Sequence, residues 1–299
     1  MSEGATIEPE LIQFAVDLAR QAGELSRQAF FAPGPSLHRG AALKEDGTEV
    51  TQVDLRVEDL LREELSRHVP QDGIYGEERG HTAGSSGRHW VLDPIDGTFY
   101  FARRMPGFTN AITYVDEDGP ALAVVNDAIT GTMLYAGRGH GCWVQLDDPS
   151  AAPDDQSTPI RAQVSSRATL DGARTQMVNP GTWSEQLLLT LHRRVYLRTD
   201  TRLVEVADGD ADACVIAGFP MGYEDLAPLT IMITEAGGTV TDLRGEPVLD
   251  GDGSALVTNG LLHQQFLELL TDLPTSRDFA ELRKRLGPNN PREGRSVIR

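Results

Sequence analysis

Two aspartates three positions apart, with glycine and threonine directly after them, are the feature of the sequence that most clearly suggests chemistry. In the segment WVLDPIDGT an apolar run leads into Asp93, and Asp96 stands immediately before Gly97 and Thr98. Asp, Pro and Gly are frequent at turns, so a plain turn at a strand end is the simplest interpretation. The alternative is a metal site, because the apolar run predicts a buried strand and buried carboxylates are costly without a neutralising cation.

Further acids stand where secondary-structure elements are expected to begin or end. They are Asp54 in VTQVD, Glu77 and Glu78 in YGEERG, and Asp225 in YEDLAP. Each has an ordinary explanation alone, since Asp before a helix is commonly an N-cap and paired Glu in a glycine-bounded loop is commonly a solvated turn. Together they offer hard oxygen ligands without clustered His or Cys, which favours Mg²⁺ over Zn²⁺.

The order of residues within DPIDGT suits phosphate chemistry. Pro94 would fix a turn that lets the two aspartates converge on adjacent metal ions, with the carbonyl of Ile95 as a further oxygen ligand. Gly97 would let the backbone approach an anion, and a helix starting there would offer N–H groups to a phosphate. The Thr98 hydroxyl would orient a water, so the segment suits in-line attack on a phosphomonoester by a metal-activated hydroxide.

Hydrophobic spacing predicts the elements that must position these residues. It predicts a helix over residues 7–30 and a second helix from Thr51 to about His68, with Asp54 near its start. Residues 108–145 read as strands joined by turns, which indicates an antiparallel meander. Later in the chain, a helix is predicted to begin at Asp225 and to end at two glycines, and a strand in GSALVTNG precedes a helix in LLHQQFLELL.

This pattern predicts an α/β protein in which an α+β part with an antiparallel sheet precedes an α/β part. The expected divisions are a domain over 1–146 with most metal ligands, a linker over 147–159, a domain over 160–275 that supplies Asp225, and a C-terminal helix and mobile tail over 276–299.

Composition narrows the class of partner. The net charge of −18 argues against nucleic acid or an anionic membrane as the main partner. The sequence has no apolar run of about 18 residues and its N-terminus does not resemble a signal peptide, so neither a membrane span nor export is expected. Cys142 and Cys214 stand in no paired motif, which is typical of reduced thiols in a cytoplasmic protein.

At this point the chain resembles the inositol monophosphatase family. GEE at 76–78, WVLDPIDGT, and the EDLA and EAGG segments between 224 and 238 resemble its three signature blocks, and the segment from Lys44 to Asp54 and GSALVTNGLL match it too. The resemblance covers roughly residues 10–270. It implies a layered α-β-α-β-α sandwich, two or three Mg²⁺ ions for which Mn²⁺ can substitute, inhibition by lithium, and a homodimer.

The resemblance also implies a set of metal ligands. The first ion would be held by Glu77, Asp93 and the Ile95 carbonyl, the second by Asp93, Asp96 and Asp225, and a weaker third by Glu77 with Glu78.

Catalytic and substrate-binding roles follow from the same resemblance. Thr98, Asp54 and Glu77 would be catalytic, with Thr98 and Asp54 polarising the nucleophilic water. Gly97, Thr98 and Asp96 would receive the phosphate.

Departures from the family pattern concern the leaving alcohol. Phe99 and Tyr100 follow DGT where the family usually has a polar residue or Lys and then Asn, and Glu224 stands where Trp often precedes the last metal-binding Asp. The segment that grips inositol hydroxyls is not found. Phe99 and Tyr100 would either bind the substrate as an aromatic wall suited to planar rings, or fill the core behind the turn.

The sequence therefore predicts a cytoplasmic Mg²⁺-dependent phosphomonoesterase acting on a small phosphorylated metabolite. The expected substrate is histidinol phosphate, a sugar phosphate or a nucleoside monophosphate rather than inositol phosphate. Two alternatives remain open: a genuine inositol-1-monophosphatase, and a binding or regulatory member of the same fold without turnover.

Overall fold

The computed structural model describes residues 5–33, 41–44, 48–147, 157–198 and 205–276. Most of the predicted linker, residues 148–156, lies outside these ranges, as do residues 277–299 of the predicted C-terminal helix and tail.

The described residues form α-helices and strands in the following order. They are α1 (Pro9–Phe31), β1 (Ala42–Leu43), β2 (Glu49–Val50), α2 (Gln52–His68), β3 (Gly73–Gly76), β4 (Gly80–Thr82), β5 (His89–Asp96), α3 (Thr98–Ala102), β6 (Thr109–Asp116), β7 (Gly119–Asp127), β8 (Thr132–Gly137), β9 (Gly141–Leu146), β10 (Ile160–Ala162), β11 (Arg174–Val178), α4 (Glu185–His192), β12 (Tyr196–Arg198), β13 (Ala213–Ile216), α5 (Tyr223–Glu235), β14 (Thr239–Thr241), β15 (Ala255–Thr258) and α6 (His263–Leu270).

A large sheet carries the first half of the molecule. Its strand order is β10-β9-β8-β7-β6-β5-β3-β4, and its neighbours are antiparallel except for β3 and β5, which run parallel. The predicted meander over 108–145 is confirmed as β6 to β9, since each of these strands pairs with the next. Strand β10 follows the predicted linker but still pairs with β9.

Helices α1 and α2 cover one face of the large sheet. Leu18 of α1 and Leu61 of α2 share a buried cluster with Leu92, Ile112 and Val124 of the sheet. Side chains alternate between the two faces of a sheet, so the strand residues next to those in this cluster point to the opposite face. That face must be covered by another element.

Helix α5 provides that cover and lies between two sheets. Leu226 and Met232 of α5 pack with Val125 of the large sheet and with Val257 of a second sheet, ordered β12-β11-β13-β15-β14. Val125 directly follows Val124 on β7, so a single strand contributes to two separate cores.

Helices α4 and α6 cover the outer face of the second sheet. Leu187 of α4 and Phe266 of α6 form a buried cluster with Val215 and Leu256. The layers therefore run helix, sheet, helix, sheet, helix, which confirms the predicted α-β-α-β-α sandwich.

Two predicted helix starts shift by two residues. Helix α1 begins at Pro9 rather than at residue 7, because proline suits the first helical position, where its missing N–H costs nothing. Helix α5 begins at Tyr223 rather than at Asp225, because the Asp225 carboxylate accepts the N–H of Gly222 at 2.9 Å and so caps a helix that has already started. None of the helices within the described ranges is both long and apolar enough to cross a lipid bilayer.

The outer helical layer gives a direct test of this packing. Leu187 is fully buried on α4, whereas Leu189 on the same helix is 55% exposed. We expect Leu187→Ala to lower the free energy of unfolding by about 2–5 kcal/mol, because it leaves a cavity in the core. Leu189→Ala should change it by less than about 0.5 kcal/mol. Urea unfolding of both variants measures this, and equal losses would mean that α4 does not pack as described.

Candidate active site

Asp93 and Asp96 reach the same side of the large sheet through a β-bulge in β5. Asp93 lies opposite Ala111 and Asp96 opposite Thr109, so three steps along β5 match two along β6. Residues three apart on a regular strand point to opposite faces, and the extra residue of a bulge corrects this. The expected turn at Pro94 is therefore wrong: the segment continues as a strand, and the bulge brings the two acids together.

The third acid of this group comes from the layer above the sheet. Asp225 stands in the first turn of α5, and the carboxylate oxygens of Asp93, Asp96 and Asp225 include one from each residue within 4.8 Å of the others. The same three residues, with Glu224, Thr109 and Pro228, line a pocket between the sheet and α5. We call this pocket the acidic cleft.

Glu77 reaches the acidic cleft because β3 and β5 are parallel neighbours. Gly76 of β3 pairs with Leu92 of β5, and the Glu77 N–H donates to the Leu92 carbonyl at 3.1 Å. Glu77 and Asp93 directly follow this pair, so they occupy neighbouring positions on the two strands. The charge of Glu77 also adds to burial in raising the pKa values of Asp93 and Asp96. The parallel pairing thus brings a fourth carboxylate to the cleft.

Glu78 shares a cation with Glu77. The Lys44 Nζ lies 2.6 Å from Glu77 and 2.8 Å from Glu78. Burial alone would lower the pKa of Lys44, but the two carboxylates outweigh burial and raise it. Glu58 of α2 fixes the backbone here by accepting the N–H groups of Glu78 at 2.8 Å and Arg79 at 3.1 Å. Neither Lys44 nor Glu58 was a predicted site residue.

Thr98 is held by Asp54 of α2. Asp54 is fully buried, and its Oδ1 lies 2.9 Å from the Thr98 hydroxyl, while its Oδ2 accepts the N–H and hydroxyl of Thr51. The Thr98 hydroxyl also lies 3.1 Å from the Ile95 carbonyl. A hydroxyl has one proton, so Thr98 donates to Asp54 or to Ile95 but not to both.

Gly97 allows the chain to turn from β5 into α3. Its φ of +92° lies in the left-handed region, and a Cβ added there would come within 2.9 Å of the Gly107 carbonyl oxygen. Glycine is required on both grounds. The turn directs the backbone of Gly97 and Thr98 towards the start of α3, whose first N–H groups have no partner within the helix.

The electrostatics of the acidic cleft indicate that it is built for cations. Burial raises the pKa values of Asp93 and Asp225 well above their usual range and that of Asp96 to about 6, and neighbouring carboxylates add to each effect. Oδ1 of Asp93 is buried and accepts no hydrogen bond from the described residues. A buried carboxylate oxygen without a donor fits a metal ligand, so the residues present suit Mg²⁺.

The aromatic residues after Gly97 separate into buried and exposed rings. Phe101 and Phe108 fill the core behind the turn with Phe30 and Ile95. Phe99 is 36% exposed, and the guanidinium of Arg103 lies 3.7 Å from the centre of its ring. The interpretation that Phe99 belongs to the core is therefore wrong, whereas its role in substrate binding stays a prediction. Tyr100 is half-buried against Phe99.

A second pair of aromatic rings near the acidic cleft was not predicted. The rings of Tyr75 on β3 and Tyr223 on α5 meet edge to face at 5.7 Å. Burial raises the pKa of Tyr75, and the charges of Glu224 and Glu77 raise it further, which places the phenol near both acids. Each tyrosine stands two residues before a cleft acid, Glu77 or Asp225. This spacing could have indicated the two tyrosines in the sequence only once the acids had been identified.

Comparison with known proteins agrees with this geometry. The sequence profile of the inositol monophosphatase family matches residues 8–275. A histidinol-phosphatase of Mycobacterium tuberculosis is 35% identical over 268 residues, which span 87% of this chain and 97% of the relative. A histidinol-phosphatase of Streptomyces coelicolor is 35% identical over 240 residues, which span 76% of this chain and 85% of the relative.

The fold has solved counterparts as well. The crystal structure of the extragenic suppressor protein suhB from Bartonella henselae superposes with a TM-score of 0.74 and 23% identity, covering 88% of this chain and 99% of that one. The family profile and the two histidinol-phosphatase relatives show that the chain belongs to the inositol monophosphatase family, and it is a phosphatase.

Proposed function

We propose that this phosphatase is a Mg²⁺-dependent phosphomonoesterase whose substrate is histidinol phosphate. The observation that carries the metal dependence is the convergence of Asp93, Asp96 and Asp225, with one buried Asp93 oxygen left without a donor. The similarity to two histidinol-phosphatases over most of their length supports the substrate.

The carboxylates of the acidic cleft would hold two Mg²⁺ ions. Glu77, Asp93 and the Ile95 carbonyl would hold one, and Asp93, Asp96 and Asp225 the other, with Asp93 shared. A third ion would have to compete with Lys44 for Glu77 and Glu78. When bound, the ions would supply Lewis-acid activation of a water and neutralise charge on the phosphate.

Thr98 would orient the attacking water. If the Ile95 carbonyl serves as a metal ligand, the Thr98 hydroxyl donates its hydrogen bond to Asp54 Oδ1, 2.9 Å away. The hydroxyl then presents a lone pair that can accept a hydrogen bond from water. Because the Thr51 N–H holds the Asp54 carboxylate in place, Asp54 fixes the orientation of the Thr98 hydroxyl.

The start of α3 would receive the phosphate. The N–H groups of Gly97 and Thr98 stand where a helix begins, and such groups favour an anion. Gly97 directly follows Asp96, which lines the acidic cleft, so this backbone adjoins the cleft in the sequence.

Removal of metal tests the first part of the proposal. We expect no phosphate release from histidinol phosphate in EDTA, recovery with Mg²⁺ or Mn²⁺, and inhibition by lithium. Asp93→Asn should abolish turnover and also the rise in Tm that Mg²⁺ gives the native chain. Without metal its Tm should be no lower than that of the native chain, because one repelling charge is gone.

The matched control for this variant is Asp171→Asn, since the Asp171 side chain is 77% exposed and lies on the surface. It should retain activity and the Mg²⁺-dependent rise in Tm. Full activity of the native chain after thorough chelation would contradict the metal mechanism.

Substitution of Thr98 tests the role of its hydroxyl. Thr98→Ala should lower kcat about 100-fold or more, the scale of a positioned proton-transfer group, with a much smaller change in KM. Thr98→Ser keeps the hydroxyl and should retain most activity. Steady-state kinetics of both variants decide the matter, and an effect of Thr98→Ala on KM alone would make Thr98 a binding residue.

A substrate panel tests the leaving alcohol. We expect kcat/KM to be higher for histidinol phosphate than for myo-inositol 1-phosphate, a nucleoside monophosphate or a sugar phosphate, measured by phosphate release. Inositol phosphate as the best substrate by tenfold or more would instead identify an inositol-1-monophosphatase. Absence of turnover on every ester would favour a binding member of the fold.

A further inference from the structure

We propose that Glu58 is a positioning residue for Mg²⁺ binding, because it holds the turn that carries Glu77 and so sets the affinity of the site to which Glu77 belongs. This inference rests on the proposed metal-dependent function and deepens it by naming a residue that controls metal binding through another. Glu58 lies on α2 and is fully buried. It is not one of the three aspartates that converge in the acidic cleft.

The turn between β3 and β4 is attached to the carboxylate of Glu58. Residues 77–79 form the loop of this antiparallel hairpin. Oε2 of Glu58 accepts the N–H of Glu78 at 2.8 Å, and Oε1 accepts the N–H of Arg79 at 3.1 Å. Both N–H groups directly follow Glu77 in the chain, so a side chain of α2 fixes the main chain that carries this proposed ligand.

The same carboxylate packs against the strand residue that precedes Glu77. A Cβ added to Gly76 would lie 2.0 Å from Oε1 of Glu58 and 2.8 Å from a terminal nitrogen of Arg62. Any larger residue at position 76 would displace the carboxylate or the strand. Glycine is therefore needed here for space, and it brings α2 and β3 into direct contact beside the proposed ligand.

Arg62 holds Glu58 in this position. Its Nε donates to Oε1 of Glu58 at 2.7 Å, one terminal nitrogen donates to the Thr82 hydroxyl at 2.9 Å, and the other donates to the Gly80 carbonyl. The guanidinium neutralises a charge that would be costly to bury alone. With three donors in contact, the Glu58 carboxylate is fixed in orientation and is tied to β4 as well as to the turn.

Helix α2 holds a second segment of the proposed site in the same way. Asp54 stands four residues before Glu58, so the two acids share one face of the helix, and both are fully buried. Asp54 lies 2.9 Å from the Thr98 hydroxyl, in the segment after β5, whereas Glu58 receives N–H groups of the segment after β3. One helix face therefore orients both segments, and the spacing Asp-x-x-x-Glu on α2 is its signal in the sequence.

The orientation of a ligand affects the affinity for its metal. Loss of a group that orients metal ligands typically costs about 10–100-fold in affinity or activity. Glutamine at position 58 keeps the size of the side chain but replaces one acceptor oxygen with an NH₂ donor. That donor would face the N–H of Glu78, or the N–H of Arg79 and the Nε of Arg62. Part of the attachment of the turn would then be lost.

Titration with Mg²⁺ measures the effect of this substitution. In Glu58→Gln, the Mg²⁺ concentrations that give half of the rise in Tm and half of the maximal phosphate release should increase about 10–100-fold. Excess Mg²⁺ should restore turnover, because the proposed ligands themselves are unchanged. Gly76→Ala should raise the same two midpoints, since its Cβ displaces the Glu58 carboxylate.

Two controls separate positioning from a general loss of stability. Glu63→Gln removes an acid from the same helix, but the Glu63 side chain is 66% exposed, so the variant should keep the Mg²⁺ midpoints of the native chain. Leu187→Ala leaves a cavity in the outer layer and should lower Tm with and without Mg²⁺. The Mg²⁺ concentration for half-maximal phosphate release should not change in this variant.

The remaining outcomes overturn the inference, and they separate it from the proposed function. Unchanged midpoints in Glu58→Gln, in an enzyme whose native chain responds to Mg²⁺, sink the inference alone. If Glu58→Gln does not fold, Gly76→Ala decides by the same criterion. Failure of both variants to fold, or an equal shift in Leu187→Ala, would assign Glu58 to stability only. A native chain that neither binds nor needs Mg²⁺ would overturn the proposed metal mechanism and the inference with it.

Discussion

Mutual repulsion among buried carboxylates is the constraint on which the arrangement of this molecule depends. Asp93, Asp96 and Asp225 are brought within 4.8 Å of one another, and Glu77 adds its charge from the next strand. Such a group opposes folding unless the surrounding structure holds it in place. The parallel β3–β5 pair positions Glu77. The bulge in β5 positions Asp93 and Asp96, and the capped start of α5 positions Asp225.

The layered architecture explains why residues so distant in sequence can form this group. Helix α5 is apolar on both sides because it lies between two sheets, and this burial fixes the position of its first turn above β5. The packing of Leu226 and Met232 thus determines where Asp225 lies. The stability of the middle layer and the geometry of the acidic cleft therefore depend on the same contacts.

Sequence reasoning identified the elements and the acids because both leave local signals. The apolar spacing of α1, α2 and α5 is visible in short windows, and the acids of the cleft stand in short motifs. The bulge in β5 was missed because DPIDG reads equally well as a turn, and only the pairing with β6 shows that the strand continues. The pairing of Lys44 with Glu77 and Glu78 was missed for a similar reason, since it joins segments that share no local pattern.

The choice between neighbouring aromatic rings was also beyond the sequence. Phe99, Tyr100 and Phe101 are consecutive, and which ring is buried depends on the direction in which α3 leaves Gly97. The structure buries Phe101 and leaves Phe99 against Arg103. The pair formed by Tyr75 and Tyr223 depends on α5 lying over β3, a contact between layers that no local pattern specifies.

Two acids of the site also act as helix caps, so the acids fall into two classes, those that cap a helix and those that do not. Asp54 caps α2 by accepting the Thr51 N–H, and Asp225 caps α5 by accepting the Gly222 N–H. Asp93 and Asp96 cap nothing and repel their neighbours. A survey of variants scored by protein abundance in cells would therefore register damage at positions 54 and 225 but tolerance at 93 and 96. The two residues that the proposed mechanism needs most would then look dispensable in a survey that measures only expression.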